Sequence, residues 1–230
     1  MKTNAQNLQV VYEDNHLIAV NKRAGDIVQG DKTGDIPLSE IVKAFLVEKY
    51  HKPGEAYLGV VHRLDRPTTG LVLFAKTSKA LARLNEMLRG HEIKKKYWAI
   101  VVKPPQEQEA TLKHYLVRNE RQNKSYAYTT EKKDSKLAVL HYVTIGKSER
   151  YTLLEVDLHT GRHHQIRCQL AAVGAVIKGD LKYGAPRSNS DGGISLHARS
   201  VEFVHPVRKE LVVITAPLPT DKLWTAFDKQ

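Results

Sequence analysis

Short apolar runs separated by polar turns dominate the chain. Residues 10–12 and 17–20 are β-type runs on either side of "EDNH", where Asp14 and Asn15 suit a turn, so the chain is expected to open with a hairpin. "NKRAG" is then expected to turn out of the sheet. In "PLSEIVKAFLVEKY" (residues 37–50), Leu38, Ile41, Phe45 and Leu46 recur at helical intervals and predict an amphipathic helix. "LVLFA" at 71–75 is apolar and β-rich enough for a central strand. Thr77 or Ser78 can cap the following helix, with Leu81, Leu84 and Leu88 on one face and Gly90 as its stop.

The second half repeats the alternation with more strands. "KKKYWAIVV" reads as a strand, and residues 110–117, 137–145 and 151–158 complete a β-rich middle, with "GKSE" as the turn between the last two. Residues 118–136 are almost wholly polar and are expected to form a solvated hairpin or insertion rather than a dedicated RNA-gripping arm. In "HTGRHHQIRCQLAAVG", Thr160 is a plausible N-cap, Ile166, Leu170 and Val173 form a stripe, and Gly174 is the stop. Strands near 194–204 and 211–216 and a short final helix close the chain. No repeat, linker or domain boundary stands out, so one domain over residues 1–230 is expected. Many strands with a few interspersed helices indicate an α+β fold on a mixed, mainly antiparallel central sheet flanked by helices.

Composition narrows the partner class. The 36 Lys and Arg against 25 Asp and Glu give a formal charge of +11, a field that attracts polyanions, nucleic acid first among them. Cys168 is the only cysteine, so there is no internal disulfide framework. With neither a secretion signal nor a bilayer-length apolar run, the sequence predicts a cytoplasmic protein with no membrane partner.

Several chemistries can be weighed from the residues. "GRHHQIRC" offers His163, His164 and Cys168, but adjacent helical residues point about 100° apart, and two possible ligands without a partner motif make no zinc site. No G-x-S-x-G and no glycine-rich phosphate loop occurs. In "VHRLDRPTTGLVLFAK", Asp65 stands between Arg63 and Arg66 in a Pro/Gly-rich turn. Taken alone, such an aspartate is a turn-former, and Tyr97 beside Trp98 is a half-buried aromatic of a strand. Taken together, an aspartate nucleophile, an arginine to hold it ionised and a ring to stack on a base suit a nucleotide swung out of its stack.

At this point the sequence resembles the RluA-type pseudouridine synthases over most of its length. The resemblance rests on four blocks in order: "HRLDRPTTGLVLFAK", "KKKYWAIV", "GRHHQIRCQLAAVGAVIKGDLKYG" and "LHARSVEFVHP". It implies isomerisation of uridine in transfer or ribosomal RNA, without metal, nucleotide or redox cofactor. It also implies Asp65 as the catalytic aspartate, Tyr97 as the aromatic packed on the target base and Arg167 as the arginine that pairs with the aspartate. Arg63, His62, Arg162 and Gln165 are expected to contact the RNA, with no role for DNA and with the protein acting as a monomer.

The chain departs from the family pattern at Arg23, where proline is usual, and at His163, often a small hydroxyl residue. The first block begins near residue 10, so the small N-terminal RNA-binding domain of many relatives is not expected ahead of it. Substrate selection is therefore expected to rest on the catalytic domain. Two rival readings are an inactive RNA-binding assembly factor on the same fold and a metal-dependent nuclease. The first has no need of a carboxylate facing a polyanion, and the second needs clustered carboxylates that the sequence lacks.

Overall fold

The computed structural model describes residues 2–228, which group into two compact units. The first comprises the chain up to Ile93 together with Ala198–Leu218, and the second Lys94–His197 with the C-terminal segment from Pro219. The class is α+β, as the patterning indicates, and every strand pairing whose register is given below is antiparallel.

In the first unit, β1 (Val10–Glu13) and β2 (Leu17–Lys22) form the expected hairpin. Asp14 closes its turn by accepting the backbone N–H of His16 at 2.7 Å and of Leu17 at 2.8 Å. β2 pairs with β4 (Thr69–Ala75), the predicted apolar strand, in a register running from Leu17 opposite Ala75 to Lys22 opposite Gly70. All seven β4 residues are buried, which is why the run is continuously apolar instead of alternating. The short β3 (Gly59–Val60) pairs with the far end of β4, and β10 (Leu196–Val204) with β11 (Leu211–Thr215).

Helix α1 (Leu38–Tyr50) buries Leu38, Ile41, Val42 and Leu46, and α2 (Ser78–Arg89) buries Ala80 and Leu84. Thr77 caps α2 as predicted, accepting the N–H of Ala80 at 3.1 Å. Gly90 is its C-cap, the expected stop, with a right-handed backbone (φ −77°), and His91 takes the left-handed turn after it (φ 57°).

The second unit carries β5 (Lys94–Val101), β6 (Glu109–Asn119), β7 (Lys124–Tyr128), β8 (Lys136–Lys147) and β9 (Thr152–Leu158), in the spatial order β5-β9-β8-β6-β7. The polar segment at 118–136 is a hairpin: β6 runs on to Asn119, turns and returns as β7. Helix α3 (Gln165–Ala172) covers the inner face of this sheet, where Cys168 joins Leu116, Ala138 and Tyr183 in a small core. Its cap corrects the sequence reading. The N-cap is His164, held in the left-handed region at φ 52°, not Thr160. α4 (Lys222–Asp228) is the predicted final helix and buries Trp224 and Phe227. No helix among the described residues is long and apolar enough to cross a membrane.

Candidate active site

Asp65 stands in a loop that the sequence makes rigid. Its carbonyl accepts the N–H of Thr68 at 3.0 Å, closing a turn in which Pro67 fixes one backbone angle. The loop delivers the chain into β4 through Gly70, at φ 109°. A Cβ on Gly70 would lie 2.4 Å from the carbonyl oxygen and 2.5 Å from the nitrogen of Ala198, so only glycine fits. On the other side of Asp65, His62 Nε2 accepts the N–H of Leu73 at 3.1 Å, which makes that nitrogen the unprotonated one and ties the loop to β4. Arg63 is exposed.

What holds this loop from below is Lys22. "NKRAG" was expected to leave the sheet, but Lys22 is the last residue of β2 and is only 1% exposed. Its ammonium donates to the carbonyls of Arg23 at 2.9 Å, Arg66 at 3.0 Å and Thr68 at 2.7 Å, so all three protons are used on backbone oxygens. The Arg66 carbonyl also accepts the N–H of Gly25 at 2.9 Å. Burial pulls the Lys22 pKa down to about 8, against the attraction of Asp26 and Asp65 and together with repulsion from Arg66. The Arg66 side chain points elsewhere, donating to Asp35 at 2.7 Å and to Thr33 Oγ1 at 2.7 Å. Arg23, which replaces the usual proline, donates to the Asn7 carbonyl at 3.3 Å.

The other expected residues belong to the second unit. Tyr97 is buried on β5, opposite Val156 of β9. Arg167 lies in the first turn of α3 and is 4% exposed. Asp180 grips one edge of its guanidinium, with Nε at 2.7 Å and Nη2 at 2.9 Å from the two carboxylate oxygens. The Tyr183 ring packs 5.2 Å from its central carbon. This fork-to-fork pair fixes the plane of the guanidinium, which a single contact would leave free to rotate.

Tyr183 in turn anchors the surrounding turn. Its hydroxyl accepts the N–H of Ser125 at 2.9 Å and lies 3.1 Å from His164 Nδ1, and burial raises its pKa well above that of an ordinary phenol.

The turn ahead of α3 is braced from within. Gln165 is buried, and its amide oxygen accepts Thr160 Oγ1 at 2.8 Å and the N–H of Arg162 at 3.0 Å, while its amide nitrogen donates to the Val139 carbonyl at 3.1 Å. Arg162 donates from Nε to the Leu137 carbonyl at 3.0 Å. His163 and His164 stack with centroids 3.8 Å apart, and His163 is within 2.9 Å of Ser125 Oγ and 3.1 Å of Asn123 Oδ1. The Cys168 thiol donates to the Ser125 carbonyl at 3.2 Å, and burial pushes its pKa up to about 11. These contacts account for the "GRHHQIRC" residues as parts of a packed turn.

Sequence reasoning missed Lys22, Asp180 and Tyr183. Lys22 had no signal beyond a cation at the end of an apolar strand. Asp180 and Tyr183 fall in the "GDLKYG" end of the third block, where a lone acid after a glycine is a hint at most.

A model of the RNA pseudouridylate synthase family matches residues 16–172. Among curated relatives, an uncharacterised RNA pseudouridine synthase of Synechocystis sp. is 34% identical over 94% of this chain and 67% of its own length. Ribosomal large subunit pseudouridine synthase C of Buchnera aphidicola is 34% identical over 92% of this chain and 67% of its length. tRNA pseudouridine synthase C of Vibrio cholerae is 31% identical over 94% and 93%. Among solved structures, human RNA pseudouridylate synthase domain containing 4 shares the fold at a TM-score of 0.80 and 23% identity, covering 97% of this chain and 93% of that one. The matched stretch contains the Asp65 loop, Tyr97 and the first turn of α3, and the chain belongs to the RNA pseudouridylate synthase family, whose members isomerise uridine in RNA.

Proposed function

We propose that this protein converts a uridine of a structured transfer or ribosomal RNA to pseudouridine, with Asp65 as the nucleophile. The N1–C1′ glycosidic bond breaks, the detached base rotates while it is retained, and C5 is joined to C1′; the C5 proton is then lost and N1 takes one up, so the product is an isomer. Asp65 attacks either C1′ of the ribose or C6 of the base, and departs when the new bond is made. Arg167 takes the role that the family resemblance gives it, the arginine partner of the catalytic carboxylate. Tyr97 packs against the target base. Arg63 and Arg162 contact the RNA around the extruded nucleotide, while His62 and Gln165 act by setting the turns that carry these residues. The two compact units work as one catalytic domain.

The observation that carries this reading is the treatment of the Asp65 loop. A lysine only 1% exposed spends all its donors on backbone carbonyls, two of them in the turn that carries the half-buried Asp65, and a turn kept for packing alone needs no such support. The +11 charge suits a polyanionic substrate. The reading is tested by mapping pseudouridines in cellular RNA with and without the protein, using a carbodiimide adduct that stops reverse transcription. Loss of a discrete site names the substrate, and an unchanged map in both transfer and ribosomal RNA contradicts the proposal.

A further inference from the structure

Strand β5 presents two lysines in succession, and the structure treats them oppositely. Lys96 lies on the face that carries Trp98, where Glu155 and Asp157 of β9 form ion pairs with it, and Trp98 Nε1 donates to Glu155 at 3.2 Å. Strand alternation puts Lys95 on the other face, with Tyr97. Lys95 is half-buried, yet it has no hydrogen-bond or ion-pair partner among the described residues. Its pKa is lowered, and desolvation is the whole cause, with no carboxylate to oppose it.

The ammonium faces the turn that precedes α3. A Cβ on Gly161 would sit 3.8 Å from Lys95 Nζ, so the glycine leaves room beside the ammonium that most side chains would occupy. The next residue, Arg162, is an exposed second cation on the same turn. A desolvated charge without a counter-ion destabilises the fold that carries it, so its presence points to an anion supplied from outside.

We propose that Lys95 is a binding residue for a backbone phosphate of the substrate RNA, adjacent to the nucleotide whose base packs on Tyr97. Two residues along one face of a strand span about 7 Å, the scale of a single nucleotide from base to phosphate. Phosphate contact fixes the register of the RNA without reading its sequence. Lys96, already neutralised by Glu155 and Asp157, is the internal control. The inference rests on the reading of Tyr97 as the base-facing ring.

The test compares Lys95→Met, Lys95→Arg and Lys96→Met with the wild type, using a single-stranded oligouridylate as the probe and measuring binding by fluorescence anisotropy across a salt series. Lys95→Met is expected to bind about five- to tenfold more weakly at low salt, with a log–log salt slope shallower by about 0.7, the loss of one phosphate contact to a single strand. Lys95→Arg restores the slope and Lys96→Met leaves it nearly unchanged. Lys95→Met is also expected to melt at or above the wild-type temperature, because it removes an uncompensated charge. An unchanged slope in Lys95→Met, or an equal change in Lys96→Met, overturns the proposal. Uridine conversion by the wild type is scored separately, so failure of the enzymatic reading is distinguishable from failure of this one.

Discussion

The Asp65 loop and the first turn of α3 both depend on a buried cation, but they use it in opposite ways. Beneath Asp65, Lys22 is a support: its ammonium is spent on backbone carbonyls, and the proposed nucleophile is the carboxylate on the loop it holds. In α3 the cation is itself the group to which the proposed mechanism gives a role, and Asp180 is the support that fixes its plane. A compact ammonium with three donors suits converging carbonyls, whereas a planar guanidinium needs a two-pronged acid. Each motif residue is thus held by a residue distant in sequence, Lys22 upstream of one and Asp180 downstream of the other.

The largest expected effect is in the second region. Asp180→Ala leaves Arg167 buried and without its grip, which should cost about 3–5 kcal/mol in denaturant unfolding. Asp180→Asn keeps the shape and should cost less stability while still lowering turnover. If Asp180→Ala were as stable as the wild type, the ion pair would not be holding the guanidinium.

Next comes Gly70→Ala. The added Cβ meets the Ala198 backbone at a positive φ, and strain plus overpacking together should cost roughly 3 kcal/mol. A normal melting temperature would mean that β4 can shift away, and the loop above it would then be less fixed than described.

Lys22→Met should cost about 1–3 kcal/mol at neutral pH, because the carbonyls lose their donor while a buried charge is also removed. Its signature is in the pH dependence. The folded-state pKa of about 8 lies below the ordinary 10.5, so between these values the unfolded chain binds more protons and the Lys22 contribution to stability rises with pH. The gap between wild type and Lys22→Met should therefore widen from pH 8 towards 10.5. A constant gap contradicts the burial of a charged Lys22.

Arg66→Ala is the smallest. Its ion pairs with Asp31 and Asp35 are between solvent-screened groups, so the substitution should leave the melting temperature nearly unchanged.

Most of the fold was legible because its elements follow simple periods. The hairpin at the start, the amphipathic α1, the buried β4 and the β-rich middle all come from patterns of apolar residues. The errors fall where backbone conformation was not the residue's usual habit. Thr160 looked like the cap of α3, but its hydroxyl is spent on Gln165 and the Val139 backbone, and His164 takes the left-handed position. Gly90 does stop α2 as expected, but with a right-handed backbone, and the left-handed residue is His91.

The candidate site residues were legible as motifs, and the contacts that hold them were not. Asp65, Tyr97 and Arg167 stand in blocks that can be compared with a family. Lys22, Asp180 and Tyr183 matter through contacts 13 to 58 residues away in the chain, and no local pattern announces such a contact.

The central claim is that Asp65 is the nucleophile, and Asp65→Asn tests it most directly. On an RNA in which the wild type makes a mapped pseudouridine, the variant should bind as the wild type does and leave the uridine unconverted over many wild-type turnovers. Conversion by Asp65→Asn within about tenfold of the wild-type rate, a barrier change of about 1.4 kcal/mol, would contradict the account.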